Sequence, residues 1–142
     1  MRLQPTDEYE IINTYKDYKY AVWFNDVLGY RCGYVKIPEN HPFYEQPFTD
    51  IDIDSIELTF SGRLKGLDGW FIGWDHHHIW DGIDEEGIKK AHSDLPKKEL
   101  YELLEYARSM SGANYSYYET ITYANGIEEE CHRVIDEIIS KT

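Results

Sequence analysis

Apolar and polar positions alternate along the first half of the chain and then change period. From Tyr9 to Phe24 the residues favour strands: Ile11, Ile12, Thr14 and Tyr15, then Tyr18, Tyr20, Val22 and Phe24, with Lys19, Ala21 and Trp23 on the opposite face. Lys16-Asp17 between the two sets predicts a tight hairpin turn, although neither residue is the usual glycine or asparagine. Asn25-Asp26 and Gly29 punctuate, and residues 30–37 predict another strand. Pro38, Pro42 and Pro47 exclude a helix interior or a central strand, so 38–49 is expected as an ordered loop. Residues 50–60 alternate again, but the phase flips. Ile51 and Ile53 share one face, and Ile56, Leu58 and Phe60 the other, which predicts a strand with a bulge or break near Asp54-Ser55. Trp70 to Trp74 predicts an apolar strand.

After Gly82 the period becomes helical. A short helix is expected within Ile83–Ala91, and an amphipathic one from Pro96 to about Met110, with Leu100, Leu103, Leu104 and Ala107 inward. Asn114 to Tyr123 reads as a strand or a lead-in to the next helix. In that last helix Ile127, Cys131, Val134, Ile135 and Ile138 share one face. Strands first and helices later predict an α+β fold: an antiparallel sheet of about five strands with two or three helices packed on one face. The 142 residues fit a single domain, 1–142, with polar residues 1–8 expected to be flexible.

Charge and composition narrow the function classes. There are 14 Lys+Arg and 27 Asp+Glu, for a formal net charge of −13. Direct nucleic-acid binding is disfavoured, because phosphate contact needs clustered cations. No membrane-spanning run or signal peptide is visible. Two cysteines, Cys32 and Cys131, make no disulfide framework and read as small buried hydrophobes in a reducing compartment. The acidic excess reads as a solvated surface or, more sharply, as a surface that mimics nucleic acid and docks on a basic partner.

The segment from Trp74 to Gly82 carries three consecutive histidines between Asp75 and Asp81. If the strand continues, His76 and His78 share a face with Trp74 and Trp80, and their imidazoles can converge on one metal ion. Asp81 then completes a candidate divalent-metal site with His76 and His78. Without metal, His78 is the candidate general base, with Asp75 and Asp81 orienting it. The plain alternative is a strand end reaching a wet loop, with Asp75 and Asp81 capping turns. Further metal ligands would have to come from His41, His92, His132 or the Asp50/Asp52/Asp54 row. That row is more simply a solvated edge-strand face. Glu128, Glu129 and His132 form helical pairs that read as surface contacts rather than a di-iron half-site. Tyr30, Tyr34, Tyr44 and Tyr115–Tyr118 could stack on a base, and Arg31, Arg63 and Lys65 are the cations placed to meet a phosphate.

Cys32-Gly33-Tyr34-Val35 with Pro38, His41-Pro42 and Tyr44, then Leu58-Thr59-Phe60-Ser61-Gly62, then Trp70 to Asp75 with His78 and Asp81, resemble a family of small phage and prophage proteins. The resemblance covers about residues 30–82 and, more weakly, the final helix. It singles out His41, Asp75, His78 and Asp81 as polar motif positions, and implies a protein made in the host cytoplasm. His76 and His77 stand where the family has Cys-Ala, and Ser55-Ile56-Glu57 replaces its His-Gly-Gly, which is expected to cost any activity that needs that histidine. The resulting expectation is a pocket that binds, and in an active form hydrolyses, a nucleotide-like small molecule such as a host immune signal. His78, Asp75 and Asp81 would be its catalytic groups, and His41, His76, Tyr34, Tyr44, Arg31 and Arg63 its ligand contacts. The alternative is a non-enzymatic acidic inhibitor of a basic host defence protein. A virion or assembly component that works as a homo-oligomer is a third expectation.

Overall fold

The computed structural model describes residues 1–78, 81–111 and 121–142. The element order is β1 (Ile11–Tyr15), β2 (Tyr18–Asn25), β3 (Tyr30–Ile37), β4 (Phe60–Gly62), β5 (Trp70–Asp75), α1 (Glu85–Ala91), α2 (Lys97–Met110) and α3 (Ala124–Ser140). The five strands form one antiparallel sheet in the order β1-β2-β3-β5-β4. The α+β expectation therefore holds.

β1 and β2 pair from Ile11↔Val22 to Tyr15↔Tyr18. Lys16 and Asp17 turn the chain with φ of 49° and 67°. Positive φ at both central residues is the type I′ geometry, whose twist matches the flanking strands. The hairpin forms despite non-ideal turn residues because Tyr20 and Val22 are buried behind it.

One sheet face presents Tyr20, Val22, Val35, Ile37, Ile72 and Trp74 to α3, which returns Ile127, Cys131, Val134, Ile135 and Ile138. These are the five α3 positions the helical period predicts. Each is fully buried, and burying a Val or Ile side chain stabilises by roughly 1.5–3 kcal/mol. The other two helices do not lie on this face. They form a second core with Phe24, Val27 and Ile83, in which Ile88 of α1 meets Leu103, Leu104 and Ala107 of α2 at the β2–β3 turn.

The sheet's other face is crossed by the N-terminal segment. Arg2 makes a two-point contact with Asp26, whose carboxylate also accepts the Thr6 N–H. The Trp23 indole donates to the Thr6 carbonyl, and the Tyr9 hydroxyl to the Lys65 carbonyl.

Residues 50–59 do not form the expected strand; only Phe60–Gly62 pairs with β5. A 3-10 turn at Phe48–Asp50 is followed by extended chain with a bend at residues 54–56. The phase flip in the sequence is this bend. Ile51, Ile53, Ile56 and Leu58 all pack on the core shared with α3, so alternation here records side chains tucked under a loop rather than a ladder.

Candidate functional site

β5 ends at Asp75, but the His76 N–H still donates to the Arg31 carbonyl at 3.0 Å, one step past the Cys32↔Asp75 pair. This carries the His76 ring onto the α3 side. Its Nε2 lies 2.8 and 3.0 Å from the two carboxylate oxygens of Glu130, which also accepts the Trp74 indole N–H at 3.0 Å. His76 Nδ1 is 3.3 Å from the Thr122 hydroxyl and 3.9 Å from Asp81. Burial alone would lower the His76 pKa, but the Glu130 hydrogen bond and the Glu130, Asp81 and Asp75 charges outweigh it and raise it from the ordinary histidine value.

Asp81 is buried. Its carboxylate takes the His78 backbone N–H at 2.8 Å and the His78 Nδ1 at 2.9 Å. Asp75 accepts from the Thr59 hydroxyl and the His77 backbone N–H. His77 stacks on Tyr30 with centroids 4.3 Å apart. Asp75, His76, His78 and Asp81 are therefore brought together at the end of β5, with Glu130 and Thr122 added from around α3. Glu130 was not singled out by the sequence, where it looks like one of three surface glutamates.

The arrangement is not the expected metal centre. His76 turns its Nε2 to Glu130, and His78 turns its Nδ1 to Asp81. Among the described residues no three His, Cys, Asp or Glu side chains are grouped to hold a metal ion. His41 is also elsewhere. It is buried in the 38–49 loop, where Nδ1 accepts the Phe43 N–H and Nε2 donates to the Ile138 carbonyl, both at 3.0 Å. That pattern fixes the ring's tautomer and makes His41 a brace between the loop and the end of α3.

The other expected ligand contacts are dispersed. Arg31 is buried beneath a groove of about 750 Å³. Its guanidinium lies over the Phe24 ring, 4.3 Å from the centroid, and is held by both Glu10 oxygens and by Asp84. Asp84 also caps α1 by accepting from Gly87. The groove's walls carry Arg2, Arg31 and Lys90 against Glu8, Glu10, Asp26, Asp84 and Glu86, an acidic balance unsuited to an anion. Lys65 is exposed and paired with Asp7 at 2.7 Å. Arg63 is exposed beside the Tyr44 hydroxyl, and Tyr44 packs towards Trp70, 6.5 Å between centroids. Tyr34 covers Gly73 and meets Phe60 edge-on, and burial raises its phenol pKa. Trp80 and Tyr115–Tyr118 lie outside the described residues.

Two smaller expectations resolve. Glu128 and His132 converge on Tyr20, whose hydroxyl donates to Glu128 at 2.6 Å and lies 3.4 Å from His132 Nε2. His132 also stacks on Tyr15, 4.1 Å between centroids. His92 is buried against the Asp26 carbonyl. Both cysteines are free and buried, and burial pushes the Cys32 thiol up to about 12, which leaves little nucleophilic thiolate.

The acidic surface has a clear focus. Residues 38–59 contain Glu39, Glu45, Asp50, Asp52, Asp54 and Glu57, all exposed, and no lysine or arginine. Glu137 of α3 pins the segment by accepting the Asp54 and Ser55 N–H groups at 2.7 and 2.8 Å, and Lys141 reaches the Asp52 carbonyl at 2.7 Å. No helix among the described residues is long and apolar enough to cross a membrane. Comparison with protein-family models, curated proteins and solved structures gives no match for this chain.

Proposed function

We propose that the protein works as a non-enzymatic acidic binder that occupies a cationic surface of a partner protein, of the kind that otherwise contacts nucleic acid. The carrying observation is the 38–59 segment, with six exposed carboxylates, no lysine or arginine of its own, and a seat on α3 where Lys141 neutralises only Asp52, at 3.5 Å. Carboxylates on a segment anchored at Asp52, Asp54 and Ser55 present charge at reduced ordering cost, and such complementarity raises both association rate and specificity. The phage-type sequence pattern fits a partner among host defence proteins, met in the host cytoplasm.

The test is affinity capture with the full chain at low salt, followed by calorimetry with the purified partner. Capture of a basic protein, displacement by duplex DNA, and affinity falling steeply with salt support the proposal. So does loss of binding in the Asp50→Asn/Asp52→Asn/Asp54→Asn/Glu57→Gln variant. Salt-independent binding, or equal binding by that variant, overturns it.

One observation favours the nucleotide-type reading. His78 is oriented by a buried aspartate, the geometry a general base uses. Calorimetry against cyclic dinucleotides and ADP-ribose, for the parent chain and His78→Ala, decides it. Binding by the parent that His78→Ala loses would replace the acidic-binder reading.

A further inference from the structure

The groove of about 750 Å³ above Arg31 has the size of a small-molecule site and lies at the opposite end of β3 from the acidic 38–59 segment. Its walls come from the N-terminal segment, α1 and Tyr123 ahead of α3. Five acidic and three basic side chains line it. Arg2 and Asp26 satisfy each other in their two-point contact. Arg31 is shared by Glu10 and Asp84, so this triad is one positive charge short. Glu8 and Glu86 line the groove and are exposed, and Glu86 meets Lys89 only as an exposed pair, which contributes little. Aromatic rings stand among these carboxylates. The Tyr9 ring is fixed by its hydroxyl on the Lys65 carbonyl. Phe24 and the half-exposed Tyr123 carry the Arg31 guanidinium at 4.3 and 5.7 Å from their centroids. The groove wall therefore already holds one cation by carboxylates and ring faces together.

We propose that this groove binds a linear polyamine, a flexible aliphatic chain carrying protonated amines at intervals. One ammonium sits on Glu10, the reachable member of the triad, whose side chain is 33% exposed against 7% for Asp84, and supplies the missing charge. Burying a charge excess is costly in a low dielectric, so the triad gains from that counter-charge. A second ammonium meets Glu8 and Glu86. The methylenes between them lie along Tyr9 and Tyr123, whose faces take an aliphatic stem and attract the charges that flank it. A chain with separated charges suits this lining better than a compact metal ion. Mg²⁺ keeps its water and demands octahedral oxygen ligands, whereas an ammonium exchanges water for charge-assisted hydrogen bonds to single carboxylates. The acidic excess that turns an anion away is the same feature that admits this ligand.

Calorimetry of the full chain with spermidine, and with Mg²⁺ at equal ionic strength, tests this, with amide NMR shifts to locate the ligand. Spermidine is expected to bind one to one and to shift Arg31, Gly87 and Tyr123, while Mg²⁺ does neither. Glu8→Gln/Glu86→Gln changes two exposed side chains and leaves the core intact, yet should weaken binding by at least about tenfold. Tyr123→Ala should weaken it less, and Lys90→Gln should strengthen it by removing a competing cation from the wall. The eight residues of β3 put the acidic segment about 25 Å away, about three Debye lengths at roughly 0.15 M salt. At that salt the Asp50→Asn/Asp52→Asn/Asp54→Asn/Glu57→Gln variant therefore binds spermidine as the parent does, whatever it does to a protein partner. Absence of spermidine binding, equal binding of Mg²⁺, loss of spermidine binding in the fourfold variant, or unchanged affinity in Glu8→Gln/Glu86→Gln overturns the proposal.

Discussion

Gly33 and Trp74 sit directly opposite each other on β3 and β5, and the indole fills the space a β-carbon at Gly33 would need: such an atom would lie 2.5 Å from the ring. On the other face the relation is reversed, with the Tyr34 ring lying over Gly73. The two glycines let aromatic rings lie flat on the central pair of strands. Trp74 is fully buried between the sheet and Ile127 and cannot retreat, whereas Tyr34 is part-exposed. Gly33→Ala is therefore expected to destabilise by about 1–3 kcal/mol through overpacking, and Gly73→Ala by less. Urea unfolding of the two variants ranks them, and equal midpoints would contradict this packing.

The hairpin turn offers the opposite sign. Asp17 adopts φ of 67°, a conformation glycine enters without a side-chain penalty. Asp17→Gly should stabilise by up to about 1 kcal/mol. Lys16 stays in place, keeping its 2.8 Å pair with Asp136. Thermal unfolding would show a higher midpoint, and a lower one would mean that Asp17 makes a compensating contact.

His41 is expected to matter for stability alone. Removing its ring leaves the Ile138 carbonyl and the Phe43 N–H without partners, a loss of about 1–3 kcal/mol per unsatisfied group. His41→Ala should unfold at lower denaturant but bind a partner as well as the parent per folded molecule. A binding defect in fully folded His41→Ala would return it to the functional site.

The seat of the acidic loop carries its own pH dependence. Burial would raise the Glu137 pKa, but the Asp54 and Ser55 N–H groups and Lys141 bring it down to about 2. A carboxylate depressed in the folded state stabilises above its unfolded value near 4.5, and that contribution fades as pH falls towards 2. The stability gap between the parent chain and Glu137→Gln should accordingly be full at neutral pH and close between these values. A gap that persists at the acid end would exclude this linkage.

The sequence carried the local elements well where burial and period agree. The α3 stripe, the α2 stripe after Pro96 and the 30–37 strand all coincide with what packs. It misled at 50–60, where alternating isoleucines looked like a strand, because the period reports burial and not the presence of a ladder partner. The site was half legible. Asp75, His76, His78 and Asp81 meet as their spacing suggests, but Glu130 arrives from a helix some fifty residues on. Nothing local marks it out from Glu128 and Glu129. His41 and Arg31 were misplaced for the same reason. Their partners, Ile138, Glu10 and Asp84, are distant in sequence.

Because α3 supplies most of the cover of the main core, the face bearing Tyr20, Val22, Val35, Ile37, Ile72 and Trp74 is only partly covered, by side chains of the 43–58 segment, until residues 127–138 exist. During synthesis the strands leave the ribosome long before the helix that seals them. The growing chain therefore carries an apolar surface through much of its translation, and a net negative charge, −13 over the 142 residues, opposes association of such half-made chains.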